Sequence, residues 1–427
     1  MKRVRIGLLG CGTVGGGLVE LVRRNRGVVA DRTGVELEVR RVLVRDPAKP
    51  RPADRALVTT DPAAVLEDPE IDIVVELIGG IEPARTFVTR AIEGRKNVVT
   101  ANKALLAASG GDLFRRAAER RVRIGFEASV CGGIPILRAI AAGLVGNRIS
   151  ALVGIVNGTC NLILTKMSEE KCSFAAALAE AQRLGFAEAD PSLDVDGRDA
   201  AQKLQILAEL AFGAKLDHAE FLVEGIRQVE AEDIRAAAEL GYVIKHLAIG
   251  RDLGGELELR VHPALLPVVH PLAHVRHEFN SVLLRGDAVD EMIFTGKGAG
   301  SLPTASAVLS DIIEISRNGH GHEPSWHLPE AVDKPLAADL ESKYYLRFPI
   351  RDVPGVIGLI ATALGNHGVS ISHASATLVE GRPDCGNVKI LAHRCLESAL
   401  RRAIGEISRL PVLAGPAVLL RIFEEGL

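Results

Sequence analysis

Aromatic residues are scarce in this chain, at 4% with one Trp and three Tyr. That leaves little material for the stacking platforms on which single-stranded nucleic acids lie. Neither sign of charge dominates, since 51 basic side chains stand against 54 acidic ones for a formal net charge of -3. No charge asymmetry therefore points to nucleic acid. Cysteine is sparse and scattered: the six at 11, 131, 160, 172, 385 and 395 form no C-x-x-C pair. This argues against a disulfide framework or a zinc site and for reduced thiols, so a cytoplasmic protein is expected. No uninterrupted apolar run reaches the roughly 18 residues of a membrane span. The basic start Met1 to Arg5 and the apolar stretch Ile6 to Val22 imitate a secretory signal, but that stretch carries six glycines at turn-forming spacing. Lysine is scarce too, with thirteen beside thirty-eight arginines. A lysine at a strand end or among carboxylates is then a candidate for chemistry that a guanidinium cannot perform.

The 427 residues have room for two or three domains. Val4 to Leu9 reads as a strand, followed by a glycine turn and a helix through Leu18 to Arg26. Strand-like runs recur at Glu38 to Val44, Ile73 to Ile78, Asn97 to Thr100 and Val122 to Phe126, with helical stretches Pro83 to Glu93 and Ala104 to Arg121 between them. Such alternation predicts a doubly wound parallel α/β sheet of Rossmann type over residues 1–130, completed by 296–318, where Pro303 to Ser316 reads as a helix. Residues 131–295 read as an α+β substrate-binding and dimerisation domain. Strands are expected there at Ile149 to Val156, Val243 to Gly250, Leu257 to His262 and Ser281 to Arg285, and helices at Phe174 to Leu184 and Arg198 to Ala211. Residues 319–343, rich in His, Pro, Gly and charge, read as a linker; His320, His322, Glu323 and His327 within it do not match a zinc spacing. The remainder, 344–427, has the order β, α, β, β, α, β of a ferredoxin-like module.

Gly10-Cys11-Gly12-Thr13-Val14-Gly15 matches G-x-G-x-x-G between a strand and a helix. The first glycine permits the turn, the second lets backbone N–H groups approach a pyrophosphate, and the third lets helix and strand pack closely. After the second strand comes Arg45, followed by Asp46, with Lys49 nearby. An arginine there accommodates a 2'-phosphate and tilts the expected cofactor from NAD(H) toward NADP(H). Lys103 closes Thr100-Ala101-Asn102-Lys103 at the carboxyl end of a strand, the edge where open α/β sheets bind ligands. Lys203 follows five carboxylates within sixteen residues: Glu188, Asp190, Asp194, Asp196 and Asp199. Asp199 and Lys203 are one helical turn apart, a spacing equally met by an ordinary surface ion pair.

Taken together, these segments resemble the homoserine dehydrogenases. The resemblance rests on residues 7–17, Val75 to Gly80, Thr100 to Lys103, Asn157-Gly158-Thr159, the acidic block ending in Lys203, and Thr295 to Gly300, and it covers about residues 4–316. The tail, through Asp352 to Val356 and Gly368 to Ile371, looks like an ACT domain. The resemblance implies NAD(P)-dependent interconversion of L-homoserine and L-aspartate 4-semialdehyde, on the route to threonine, methionine and isoleucine. It makes Lys203 the proton donor to the aldehyde oxygen and Lys103 a second catalytic lysine. Glu188, Asp194 and Asp199 become substrate carboxylates. Gly10, Cys11, Gly12, Thr13, Val14, Gly15, Arg45, Lys103, Gly185 and Gly300 fall at cofactor positions, and Glu127, Val130, Gly132 and Ile134 at a sodium site built largely from backbone carbonyls. It further implies threonine as effector at the tail and a homodimer or homotetramer.

Two departures from the family pattern stand out. Cys131 occupies a usual glycine and Leu162 a usual Tyr, and neither is expected to touch a catalytic position. A thiolate mechanism at Cys131 lacks a nearby His base, so a small buried apolar role suits it better. The competing class is a non-catalytic regulator sensing NADP and an amino acid. It would need neither ammonium group, and the chain has both.

Overall fold

The computed structural model describes residues 1–318, 332–379 and 381–424. The histidines at 320, 322 and 327 and Glu323 lie outside them. Among the described residues no helix is long and apolar enough to cross a membrane, and no cluster of three His, Cys, Asp or Glu side chains could hold a metal ion.

Six parallel strands form the first sheet in the order Val58–Thr59, Val35–Leu43, Lys2–Leu9, Ile73–Glu76, Asn97–Thr100, Ile124–Gly125. Counted along the chain this is 3-2-1-4-5-6, the dinucleotide-binding order, and its switch point lies between Lys2–Leu9 and Ile73–Glu76. Both faces are covered, which is why Ile73, Val74 and Val75 are all buried instead of alternating with polar residues. The helix Ser301–Asn318 returns to this sheet, and its Ala305, Val308, Ile312 and Ile315 share a core with Val4, Ile6 and Leu8. It lies so close to the helix Thr13–Arg24 that a Cβ on Gly17 would stand 2.8 Å from the Ser301 carbonyl oxygen.

The second sheet is mixed and has ten strands. Its path runs Asp290–Lys297, Phe279–Gly286, Ile149–Ile155, Tyr242–Asp252, Leu257–Pro267, Val418–Ile422, Glu341–Arg351, Arg382–Leu396, Ile371–Val379, with Leu222–Val223 also beside Leu257–Pro267. The last four strands on that path belong to the tail. The tail's elements run Glu341–Arg351, helix Val356–Asn366, Ile371–Val379, Arg382–Leu396, helix Glu397–Ile407, Val418–Ile422, again β, α, β, β, α, β. Its last strand pairs in parallel with Leu257–Pro267 at Ala264 with Arg421 and Leu265 with Ile422. The two regions therefore share one sheet. The stretch expected as a linker is also tied down in its described part: Val332 bridges Ala214, Leu336 bridges Leu257, and the tail's first strand already starts at Glu341.

Two helices of the middle region, Gly158–Glu170 and Ala231–Glu239, were not expected. They build the surface on which the tail sits. Cys160, Ile163 and Met167 from the first, and Ala236 and Ala237 from the second, form one core with Tyr345, Val418, Leu420 and Ile422 of the tail. Beside this core the Arg347 guanidinium grips Asp233 with Nε to Oδ1 at 2.7 Å and Nη2 to Oδ2 at 3.0 Å, and the Tyr345 hydroxyl donates to Oδ1 at 3.1 Å. Both ionic side chains are buried, so neither tolerates the loss of its partner. Asp233→Ala strands a guanidinium away from water, and the expected destabilisation is about 3 kcal/mol or more by denaturant unfolding. A change below about 1 kcal/mol would show that the more exposed Glu230, 3.1 Å from Arg347, takes over the charge.

Candidate active site

The carboxyl edge of the first sheet is organised by a buried carboxylate. Glu76 ends its strand fully buried, and its Oε1 accepts from the Ile78 and Gly79 N–H groups at 2.8 and 3.2 Å. Its Oε2 accepts from the Thr100 hydroxyl at 2.6 Å, which ties the adjacent strand end to the same anchor. Asn102 then caps the helix Lys103–Arg120 by accepting from the Leu105 N–H, and donates to the Gly80 carbonyl at 2.6 Å. Lys103 thus becomes the first residue of a helix whose positive end disfavours an ammonium group.

Compensation comes from the middle region. Gly197, at φ 86, turns the chain into the helix Arg198–Phe212, which carries Asp199 in its first turn and Lys203 one turn on. Lys103 Nζ lies 3.0 Å from Asp199 Oδ1, and Lys203 Nζ lies 2.8 Å from Asp199 Oδ2. Lys203 also donates to the Val156 carbonyl at 2.8 Å, an oxygen shared with the Asn280 amide. The Asn157 amide donates to both Asp194 and Asp199 at 2.7 Å, while its oxygen caps the helix Gly158–Glu170. One carboxylate therefore bridges two lysines from two regions of the chain.

The expected site residues do not all converge. Lys103, Lys203, Asp199 and Asp194 form this cluster, whereas Glu188 is exposed on the preceding loop, near Gly185 at φ 78. Thr159 ties that loop to the cluster by donating to the Phe186 carbonyl at 2.8 Å. Cys131 takes the buried position expected of it. It is buried at φ 54, against the Asn280 amide, within electrostatic range of Lys203. Its neighbour Gly132 has no room for a side chain, since a Cβ would stand 2.5 Å from the Gly298 carbonyl oxygen. The Glu127 carboxylate, set in the same turn as Val130, Gly132 and Ile134, accepts from the Leu137 and Arg138 N–H groups at 2.9 and 2.8 Å. Leu162, the other departure, is buried in the core beneath the tail.

The glycine loop has the form that a pyrophosphate requires. Gly10 takes φ 95, and a Cβ on Gly15 would stand 2.4 Å from the Gly10 carbonyl oxygen. Gly12 faces open space and caps the helix Thr13–Arg24 without any side-chain acceptor, so the leading N–H groups remain available to an anion. Gly300 precedes Ser301, whose hydroxyl donates to the Thr13 carbonyl at 2.7 Å. Arg45 is exposed. Sequence reasoning missed a nearer cation, Arg51. It donates to the Asp46 carbonyl at 2.6 Å, yet its Nε and Nη1 are buried with no partner among the described residues. Its charge acts on Cys11 in the glycine loop, opposing the burial that raises that thiol's pKa.

Comparison with known proteins bears on the whole chain. The family model "Homoserine dehydrogenase, NAD binding domain" matches residues 10–127, and "Homoserine dehydrogenase" matches residues 135–313. A homoserine dehydrogenase of Pseudomonas aeruginosa is 41% identical, with 99% of each chain covered. The chain belongs to the homoserine dehydrogenase family. The crystal structure of a homoserine dehydrogenase from Thiobacillus denitrificans superimposes with a TM-score of 0.92 at 42% identity, covering 100% of this chain and 99% of that one. A hyperthermophilic archaeal homoserine dehydrogenase solved in complex with NADPH gives a TM-score of 0.63 at 28% identity, covering 74% of this chain and 98% of that one.

For a homoserine dehydrogenase the protonation state of the lysines matters. Burial pulls the Lys203 ammonium toward neutrality, but the Asp199 carboxylate outweighs it and holds the group above the ordinary lysine value of 10.5. Burial likewise opposes charge on Asp199, and Lys203 with Lys103 reverses it, keeping that carboxyl far below the usual range. A drier pocket alone would have lowered the lysine; the paired carboxylate decides the sign. Both shifts favour the charged folded state. The Asp199 contribution to stability is present above its ordinary value of 3.8 and fades as pH falls below it. That of Lys203 is complete below 10.5 and fades as pH rises past the folded value. Asp199→Asn leaves two ammonium groups close together with no carboxylate at ion-pair distance and only the more distant Asp194 to offset them, so the Lys203 pKa should fall. In kcat/KM for semialdehyde reduction against pH, the alkaline limb of the variant is expected at correspondingly lower pH. An unmoved limb would mean that another group supplies the proton.

Proposed function

We infer that this chain catalyses the reversible NAD(P)-dependent interconversion of L-homoserine and L-aspartate 4-semialdehyde, in the supply of threonine, methionine and isoleucine. The observation that carries the assignment of roles is the single carboxylate, Asp199, held between two lysines at the carboxyl edge of a dinucleotide-binding sheet. A bound nicotinamide supplies hydride to the aldehyde carbon or takes it from the alcohol. As negative charge gathers on the aldehyde oxygen, the Lys203 ammonium stabilises it and delivers a proton; in the oxidative direction it takes that proton back. Lys103 adds a second positive charge and orients the reacting groups. Asp199 holds both ammonium groups, which leaves Asp194 and the rim residue Glu188 for the substrate's own ammonium. A regulator without catalysis would have no use for two lysines brought together at the cost of burying their counter-ion.

The orphaned guanidinium of Arg51 and the open space at Gly12 fit a dinucleotide, and the guanidinium supports NADP over NAD. The archaeal relative's NADPH complex supports the same choice. Arg51, with Arg45 at the surface, would receive the 2'-phosphate, and the helix Thr13–Arg24 the pyrophosphate. The test is the absorbance of reduced nicotinamide when the protein meets L-homoserine with NADP or NAD. Turnover favouring NADP is expected, and Arg51→Ala should raise the KM for NADP by about tenfold while leaving that for NAD unchanged. Silence with both cofactors would sink the reading, and equal effects on both would remove Arg51 from 2'-phosphate recognition.

We propose that the turn holding Glu127, Val130, Gly132 and Ile134 takes a sodium ion largely through backbone carbonyls; the Glu127 carboxylate accepts one N–H on each oxygen and is held beside them. We propose a ferredoxin-like ACT module for the tail, supported by its strand order Val418–Ile422, Glu341–Arg351, Arg382–Leu396, Ile371–Val379, fourth, first, third, second in the module's own count, and a homodimer or homotetramer working in the cytoplasm. The two edge strands Asp290–Lys297 and Ile371–Val379 expose Ile293 and Leu378, which favours self-association. Threonine is the proposed effector. It should lower turnover of the full chain, and Asp352→Ala, in the turn before Gly355 at φ 87, should relieve that inhibition without changing basal turnover. Undiminished inhibition in the variant would place the effector elsewhere.

A further inference from the structure

We propose that Asn157 is a positioning residue that keeps Asp194 and Asp199 apart and both charged, so that Asp194 is free for the substrate ammonium while Asp199 holds the lysines. This rests on the homoserine reaction inferred above. Three of the amide's four hydrogen-bonding directions are engaged: Oδ1 accepts from the Cys160 N–H at 2.8 Å, and Nδ2 donates to Asp194 Oδ1 and to Asp199 Oδ2, each at 2.7 Å. The orientation is thereby settled, because a flipped amide would point its oxygen at two carboxylates and its NH2 at a backbone N–H. Asn157 is itself buried. Its place in the chain adds to the effect: the carbonyl of the residue before it, Val156, receives Lys203. Two consecutive residues at the end of the strand Ile149–Ile155 thus fix the proton donor and both acids.

The two carboxylates are unequal in partners. Among the described residues Asp199 has two lysines within ion-pair distance and Asp194 has none. Burial raises the Asp194 carboxyl and the Asp199 charge raises it further, while the Asn157 amide, Lys203 and Lys103 act against them. The other titratable groups around the pair are Cys160 and Asp196 beside Asp194, and Cys131 and His246 beside Asp199. None supplies Asp194 with a donor in place of the amide: the Cys160 thiol is directed to the Asp194 backbone carbonyl. Loss of the amide would therefore let Asp194 take up a proton at higher pH, and a neutral acid no longer attracts an ammonium group.

Asn157→Asp tests this role most severely, because aspartate still caps the helix but replaces the NH2 donor with a further negative charge beside both acids. Steady-state kinetics with homoserine and NADP, between about pH 6 and pH 10, should show the KM for homoserine raised about tenfold or more, the scale of a lost hydrogen bond to a charged group. The KM for NADP should stay within about twofold, and the acidic limb of kcat/KM should move to higher pH. Asn157→Ser keeps a capping oxygen without adding charge, and it decides the matter if the aspartate variant fails to fold; a smaller change in the same direction is expected. A purely structural role would lower Tm and kcat while both KM values and the pH profile stayed put, and that result in either folded variant would overturn the proposal. Absence of turnover in the unaltered chain would instead strike the reaction on which it rests.

Discussion

The Asp199 carboxylate is the constraint around which the molecule is arranged. It comes from the middle region, yet one of its oxygens holds Lys103 of the nucleotide-binding sheet and the other holds Lys203 of its own helix. A buried carboxylate with one partner would barely offset its desolvation, whereas two ammonium groups and an amide make its charged form strongly preferred. The same contact brings together the carboxyl edge of one sheet and the helix that follows the acidic block. Bringing Lys103 to the first turn of a helix, where the dipole opposes it, makes sense only with this acceptor opposite.

Behind that contact the middle region and the tail behave as one packed body. They share a sheet, a hydrophobic core and two ionic clusters, the buried pair of Arg347 with Asp233, and the buried Arg421 with the half-buried Glu224 and Glu397. Glu224 reaches toward the site through its backbone: its carbonyl lies 3.0 Å from His246 Nε2, and the next residue, Gly225, is pressed so closely on Val195 that a Cβ would stand 2.0 Å from the Val195 carbonyl oxygen. Val195 lies in the short helix Ser192–Val195 that carries Asp194. The tail strand Val418–Ile422 cannot shift without Arg421 abandoning Glu224, and Glu224 lies one residue from the contact of Gly225 with Val195, the neighbour of Asp194.

Much of the site was legible because its residues obey local rules. The glycine loop sits between a strand and a helix, Lys103 closes a strand end, and Asp199 and Lys203 are one turn apart. The failures have physical reasons as well. The helix Gly158–Glu170 was missed because Asn157-Gly158 reads as a turn, and because Cys160 to Leu164 and Met167 are buried with no polar stripe to betray the period. Arg51 was missed because its relation to the glycine loop is made in space: five residues beyond Asp46, it folds back on that residue's carbonyl. The sharing of a sheet by tail and middle region rests on two residue pairs between Leu257–Pro267 and Val418–Ile422, about 160 residues apart, and no local pattern encodes it.

The charge balance of the site accounts for its use of lysine in a chain that prefers arginine. Lys103 and Lys203 face Asp194 and Asp199, so the cluster is close to neutral before a zwitterionic substrate enters and remains so afterwards. Reduction then creates one new negative charge, on the aldehyde oxygen. An ammonium can shift from the Asp199 oxygen to that oxygen and give up its proton, because it is a compact donor whose pKa responds to its neighbours; a guanidinium would retain its proton throughout. Asp199 makes Lys203 a reluctant acid in the resting site, and in the proposed mechanism the growing oxyanion supplies the base strong enough to take its proton. In the proposed mechanism the carboxylate that assembles the site therefore also keeps the proton in place until the substrate needs it.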